Sequence, residues 1–378
     1  MKILHFYKTY YPDTFGGIEQ AIFQLASGTS SLGVSAKVLS VTPNQAPRST
    51  LINGHQSVKC RRNFKVASTD FSLSVFWHFK EMAEEADIVH YHFPWPLMDL
   101  AHLITNHKKP TVVTYHSDIV KQQLLLKFYR PLRRMFLDSV DTIVATSPNY
   151  LVSSDVLQSY QDKVEVIPIG LDRNLYPPIN IERRKYWQNL LGKKFFLFIG
   201  VLRYYKGLHI LLDALSLGGN FTMVIIGAGP IEGELRAKAK SKGLQNVTFL
   251  GQVSDEDKVV IIDLSYSVVF PSHLRSEAFG ISLLEGAMYG KPMISSEIGT
   301  GTSFININEK TGIIVNPSSP KDLNLAMSYL WGNPEVAAIM GLNANKRFEK
   351  LFTSVHMCKA YVKLYEQLID KKSKHKFS

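Results

Sequence analysis

Short apolar runs recur along the chain, each followed by a stretch whose hydrophobic residues fall at helical spacing. Residues 2–7 (KILHFY) form the first run and residues 36–42 (AKVLSVT) the second. Others follow at 86–96 (ADIVHYHFPWP), 111–118 (TVVTYHSD), 141–149 (DTIVATSPN) and 164–172 (VEVIPIGLD). Apolar runs of this length predict strands buried on both faces, and their alternation with helical stretches predicts parallel β/α units. Residues 172–192, with Pro177, Pro178 and several charges, read as a linker leading into a helix. The pattern then restarts at 193–200 (KKFFLFIG), and continues through FTMVIIGAGP, NVTFLGQV, SYSVVFPS and residues 292–296 (PMISS). Residues 355–369 read as an amphipathic helix running into the basic tail KKSKHKFS. The expected architecture is α/β, with two Rossmann-like domains facing across a cleft where a ligand should sit. Expected boundaries are 1–172, 173–354 and 355–378.

One stretch carries more chemistry than the rest. Residues 271–292 read PSHLRSEAFGISLLEGAMYGKP. An apolar run ending in VVFPS leads into it, and Gly280 opens a helical pattern with Ile281, Leu284, Ala287 and Met288. Gly290 closes that helix and Pro292 blocks its continuation. A glycine turn before an uncapped helix offers free backbone N–H groups and a positive dipole end to an anion. Glu277 and Glu285 bracket the turn and can accept from hydroxyls beside that anion. Phosphate plus polyol describes a nucleotide sugar.

Other candidate positions have a functional and a structural reading side by side. Gly16 and Gly17 separate the first strand from a helix carrying Ile18, Ile22, Phe23, Leu25 and Ala26, which allows close approach of backbone to ligand or makes an ordinary turn. Arg203 and Lys206 precede Gly207 and a helix, where cations either neutralise a pyrophosphate or sit in solvent. Gly227-Ala228-Gly229-Pro230 opens like a dinucleotide fingerprint, but Glu232 stands where the third glycine belongs. His90 and His92 share a strand face and His116 ends the next strand, a set that suits zinc or hydrogen bonding at the sheet end. Neighbouring Trp95 and its prolines favour a substrate wall over a metal. Asp255-Glu256-Asp257 is a D-x-D pattern of the kind that carries a divalent metal in some sugar transferases; following Ser254, it reads better as a capped helix start.

Composition narrows the setting. The formal net charge of +11 points to polyanionic partners without choosing among nucleic acid, lipid and phosphorylated substrate. No nucleic-acid-binding motif accompanies it. Cys60 and Cys358 lack metal or disulfide spacing, which favours a reducing cytoplasmic setting. The first residues lack the apolar core of a signal peptide, and no window is apolar enough for a membrane span. Residues 124–136 (LLLKFYRPLRRMF) set Lys127, Arg130, Arg133 and Arg134 among Leu, Phe and Tyr. Such a segment either lies on an anionic membrane surface or is a solvated helix face.

Taken together, the Gly16-Gly17 turn, the Arg203/Lys206 pair and the Glu277–x7–Glu285 motif embedded in residues 271–292 resemble the retaining glycosyltransferases of family 4, which have the GT-B fold. The resemblance covers nearly the whole chain. More narrowly, FYKTYYPDTFGGIEQ, YHFPWP, TYHSDIVKQ, LRYYKGLHILLDA and SEIGTGTSFIN are similar to bacterial lipopolysaccharide O-antigen mannosyltransferases that use GDP-mannose.

That resemblance implies roles for single residues. Glu285 would bind the donor ribose, Glu277 the transferred sugar, and Arg203 and Lys206 the pyrophosphate. Backbone around Phe279, Gly280 and Ile281 would hold phosphate or sugar hydroxyls, with Gly16 and Gly17 approaching from the first domain. His116 would reach the sugar near its reacting carbon, and Val253 would meet the base. The C-terminal helix would cross back onto the first domain. No metal or other cofactor is implied. The acceptor would be a lipid-linked sugar at the cytoplasmic face of the inner membrane, with the enzyme peripheral on anionic lipid. The family motif has arginine directly after the strand-ending glycine, where Val201 stands here, so Arg203 is the replacement expected. GDP-rhamnose or a UDP-sugar as donor, and a non-catalytic sugar-binding protein on the same fold, are the competing readings.

Overall fold

The structure is a computed structural model describing residues 1–44, 48–66, 69–119 and 123–374. The chain divides into two compact units, Met1–Leu171 with Thr353–Ser378, and Asp172–Phe352.

In the N-terminal unit, strands β1 (Lys2–Phe6), β2 (Ser35–Thr42), β3 (Arg48–Ile52) and β4 (His55–Arg61) precede a small hairpin of β5 (Phe64–Val66) and β6 (Thr69–Phe71). Then come β7 (Ile88–Phe93), β8 (Thr111–Tyr115), β9 (Thr142–Ala145) and β10 (Val164–Val166). The main sheet runs β10-β9-β8-β7-β1-β2-β4-β3 and is parallel except for β3. Every residue of β7, β8 and β9 is buried, which is why these strands read as apolar runs rather than alternating ones. Several strands stop earlier than the apolar runs do. The run at 141–149 ends as strand at Ala145 because Ser147 caps a following helix, Pro148–Ser153, accepting from the Tyr150 amide.

The C-terminal unit holds β11 (Phe196–Ile199), β12 (Met223–Ile226), β13 (Val247–Gly251), β14 (Ser267–Phe270), β15 (Met293–Ser296) and β16 (Gly312–Val315). These form one parallel sheet, ordered β13-β12-β11-β14-β15-β16. Its core packs Phe196, Leu211, Met223, Val269 and Ile294 against Met327. The order turns at β11, with β12 on one side and β14 on the other, so the chain returns across the first strand of the unit. Loops after β11 and β14 therefore lie side by side at the carboxyl edge, the usual ligand position in such sheets.

The last helix, Ser354–Lys374, extends beyond the expected 355–369 and packs on the N-terminal unit. Cys358 sits against helix Gly17–Ser30, where a Cβ on Gly28 would come within 2.6 Å of its sulfur. Residues 375–378 of the basic tail and 120–122 of the TYHSDIVKQ stretch lie outside the described residues.

Candidate functional site

In the C-terminal unit the loops after β11 and β14 meet through two charges. Lys206 ends a short 3-10 turn, Tyr204–Lys206, and its ammonium is hydrogen-bonded to Glu277 Oε2. Ser272 Oγ donates to the same oxygen at 3.3 Å. Burial alone would pull the Lys206 ammonium down, but the facing Glu277 carboxylate outweighs it and holds the group above the usual lysine value. The Phe270 ring lies 4.7 Å beneath the ammonium. Gly207 is what lets the two loops touch: its φ is +72°, and a Cβ there would lie 1.9 Å from the Pro271 carbonyl oxygen. Arg203 is exposed beside this pair, and Val201 is exposed as well.

Past Glu277 the chain reaches buried Phe279 and Gly280, whose φ of 102° turns it into helix Ile281–Met288. Gly280 supplies no side-chain cap, so the first amides of this helix face the loop uncapped. Glu285 lies one turn further on and is 4% exposed. Its Oε1 accepts from Tyr176 Oη at 3.1 Å and from Lys258 Nζ at 3.2 Å. Burial lowers the Lys258 ammonium, and the Glu285 and Asp255 carboxylates more than reverse this, keeping it charged. Lys258 and Tyr176 were not among the expected site residues. Tyr176 carries no motif, but Lys258 follows Ser254 by four positions on a helix whose acidic start was already singled out. Val253 is half-buried between β13 and that helix.

The D-x-D carboxylates are taken up separately. Asp257 accepts from Arg183 at 2.7 Å and from Trp187 at 2.8 Å, while Asp255 meets Lys258 at 3.0 Å. Ser254 caps helix Asp255–Leu264 through the Asp257 amide, as the sequence suggests.

In the N-terminal unit, Gly16 and Gly17 lead into helix Gly17–Ser30. Glu19 orders the loop before it, accepting from the Thr9 and Thr14 hydroxyls at 2.8 Å each. His116 follows β8 and belongs to a cluster of buried imidazoles. His5 Nδ1 lies 3.1 Å from His92 Nε2, and His92 Nδ1 lies 3.0 Å from His116 Nε2. His90 is hydrogen-bonded to Tyr365 Oη and Thr114 Oγ1, 2.7 Å in each case. Burial holds His5 and His116 at about 3, and His90 and His92 well below the ordinary value, so the rings are neutral. The sequence leaves zinc open for His90, His92 and His116. Among the described residues the trio whose donor atoms lie within 4.8 Å of one another is instead His5, His90 and His92. Both nitrogens of His90 and of His92 already have hydrogen-bond partners.

On helix Gln123–Ser139, Lys127, Arg130 and Arg134 are exposed, as are Phe128 at 85% and Met135 at 58%. No helix among the described residues is long and apolar enough to cross a membrane.

Residues 15–175 match the model of Glycosyltransferase Family 4, and residues 181–347 match that of Glycosyl transferases group 1. A D-rhamnosyltransferase of Pseudomonas aeruginosa, WbpZ, is 58% identical over 94% of this chain and 93% of its own. The O-antigen chain mannosyltransferase C of Escherichia coli is 49% identical over 99% of this chain and all of its own, 100%. Among solved structures, sucrose-phosphate synthase from Thermosynechococcus elongatus superposes with a TM-score of 0.79 at 20% identity, covering 98% of this chain and 99% of that one. That last likeness is one of fold, the GT-B pair of Rossmann-like α/β domains.

Proposed function

This chain belongs to glycosyltransferase family 4, and we propose that it moves mannose from GDP-mannose to a hydroxyl of a lipid-linked sugar in O-antigen assembly, with retention at the anomeric carbon. The observation that carries the reading is the Lys206–Glu277 pair beside the uncapped helix at Gly280, with Glu285 held one turn beyond. In this reading Glu285 takes the ribose diol, and Val253 backbone meets the guanine. Lys206, Arg203 and the amides from Phe279 to Ile281 face the diphosphate. Glu277 contacts the sugar. Gly16, Gly17 and His116, of the N-terminal unit, are proposed contacts of the same donor.

The chemistry follows from where charge develops. As the glycosidic C–O bond breaks, the diphosphate gains negative charge, and preorganised cations and amides stabilise it most at that moment. The acceptor oxygen attacks the oxocarbenium-like carbon on the face the phosphate leaves, and its proton passes to the departing phosphate oxygen. No carboxylate is assigned as nucleophile and no metal is assigned to the leaving group. Trapping a covalent mannosyl ester on Glu277 would overturn this version.

A second donor is favoured by the 58% identity to a D-rhamnosyltransferase. D-Rhamnose is mannose without the 6-hydroxyl, so the two donors differ by one polar contact. Parallel reactions with GDP-mannose, GDP-D-rhamnose and UDP-glucose on a synthetic lipid-diphosphate GlcNAc acceptor, with products read by NMR, separate them. Transfer from GDP-mannose above the other two supports the mannosyl reading, and preference for GDP-D-rhamnose replaces it. Exposed Lys127, Arg130 and Arg134 beside Phe128 support a peripheral contact with anionic lipid at the acceptor.

A further inference from the structure

His5 stands on β1, His90 and His92 stand on the neighbouring parallel strand β7, and His116 stands in the loop after β8, the next strand. His5 pairs in register with His90, and His92 with Thr114, so the rings stand on one face of the sheet. The His90 and His92 rings stack at 4.4 Å and the His92 and His116 rings at 5.3 Å. Within this group one chain is continuous: His5 Nδ1 to His92 Nε2, then His92 Nδ1 to His116 Nε2.

A neutral imidazole has one N–H and one lone pair, so it donates through one nitrogen and accepts through the other. His92 sits between two rings and must do one toward each. If His5 donates from Nδ1, His92 accepts at Nε2, carries its hydrogen on Nδ1 and donates to His116 Nε2. The His116 hydrogen is then on Nδ1. If His116 donates from Nε2 instead, each proton sits on the other nitrogen and the whole chain reverses. A mixed arrangement sets two lone pairs or two N–H groups against each other about 3 Å apart in a buried site, which costs a hydrogen bond and adds repulsion. Burial keeps the rings neutral, which is the condition for this logic.

We infer that His5, His92 and His116 form a coupled imidazole chain in which all three rings carry their hydrogen on the same nitrogen, Nδ1 in one state and Nε2 in the other. His116 Nδ1 thereby meets its ligand as an N–H or as a lone pair according to the state of the whole chain. His5 and His92 act as positioning residues for His116. A sugar hydroxyl that accepts from Nδ1 selects one state, and one that donates to it selects the other. This role in turnover rests on the reading of His116 as a donor-sugar contact; the tautomer rule does not.

The test is long-range 15N–1H correlation NMR on protein labelled at histidine, with rings assigned by single substitution. The expected result is one tautomer common to His5, His92 and His116. Different tautomers within the trio would overturn the coupling. So would a tightly bound zinc found by metal analysis of the purified protein, because coordination would take the nitrogens the chain uses. In His92→Phe, the His116 tautomer should become mixed or reverse, and turnover should fall roughly five- to tenfold, the worth of one neutral hydrogen bond, with GDP affinity unchanged. An unaltered His116 tautomer in a folded His92→Phe protein would overturn the proposal, and His5→Phe gives the same reading from the other end. If His116→Ala leaves turnover unchanged, it is the sugar-contact reading that fails.

Discussion

Lys258 holds Glu285 from one side, its ammonium 3.2 Å from Oε1, while Tyr176 donates to the same oxygen at 3.1 Å. Oε1 thus takes two donors from within the protein, and the same carboxylate is proposed to take a ligand. If that ligand is the ribose diol, Glu285→Gln should weaken GDP binding by about 2 kcal/mol, roughly 30-fold, because a charged acceptor becomes a neutral one. Lys258→Met should weaken it less and through the same hydroxyls. Titration calorimetry with GDP and 2′,3′-dideoxy-GDP checks this: the variants should lose most of the preference for GDP. Equal losses for both nucleotides would remove the ribose role.

The Lys206–Glu277 pair is largely shielded, its side chains 12% and 11% exposed, so removing one partner leaves a poorly compensated charge. Lys206→Met is expected to lower kcat by about 10²- to 10³-fold if the ammonium stabilises the departing diphosphate. It should also lower Tm, because Glu277 loses its partner. Lys206→Gln combined with Glu277→Gln should recover most of the Tm and none of the activity. Recovery of activity in the double variant would reduce the pair to a structural one.

Gly207 is a stability determinant. Alanine at this position meets both an unfavourable φ of +72° and a Cβ 1.9 Å from the Pro271 oxygen, so the two loops must separate. A loss of about 2–4 kcal/mol in urea unfolding is expected, together with weaker GDP binding. Gly233→Ala, in helix Glu232–Ser241 where a Cβ meets nothing within 4 Å, is the control that should weaken neither.

Acid should destabilise the N-terminal unit through its buried histidines. Burial lowers His5 and His116 to about 3, and His55, His102 and His107 to about 4. Unfolding frees these rings to titrate at about 6.5, so below that pH the unfolded chain binds protons the folded one does not. Stability is complete above about pH 6.5 and is lost as pH falls toward the folded values, at about 1.4 kcal/mol per pH unit for each such histidine. Calorimetric scans should show Tm falling steeply from pH 6.5 to 5, and His55→Phe or His102→Phe should flatten the slope. A Tm unchanged across that range would contradict neutral burial of the rings.

If helix Gln123–Ser139 meets anionic lipid, reversing the charge of exposed Lys127, Arg130 and Arg134 should cut binding to phosphatidylglycerol vesicles at least tenfold at low salt. GDP binding should stay as it was. Vesicle flotation reads the first and calorimetry the second, and unchanged flotation would end the membrane role of this helix.

Much of the proposed donor site is legible in the chain because it is local. Gly280, Glu277 and Glu285 lie within a few residues of one another, and their spacing around a strand–turn–helix follows from backbone geometry. Buried parallel strands such as Thr111–Tyr115 announce themselves as apolar runs for the same reason. No motif marks the β3–β4 hairpin, β16 or the two long helices Pro320–Gly332 and Pro334–Leu351.

What the sequence by itself determined is therefore the alternation of strand and helix, the two-domain α/β plan, and the chemistry available at each strand end. These are set by hydrophobic period and by residues adjacent along the backbone. Only the tertiary structure decided which of those residues act together. Tyr176 and Lys258 reach Glu285 from different elements, and His5 meets His92 across a sheet whose strand order places β1 beside β7. Hydrogen bonds act over about 3 Å whatever the separation along the chain. Partners 87 and 109 residues apart are matched by strand order and loop packing, which no local spacing encodes.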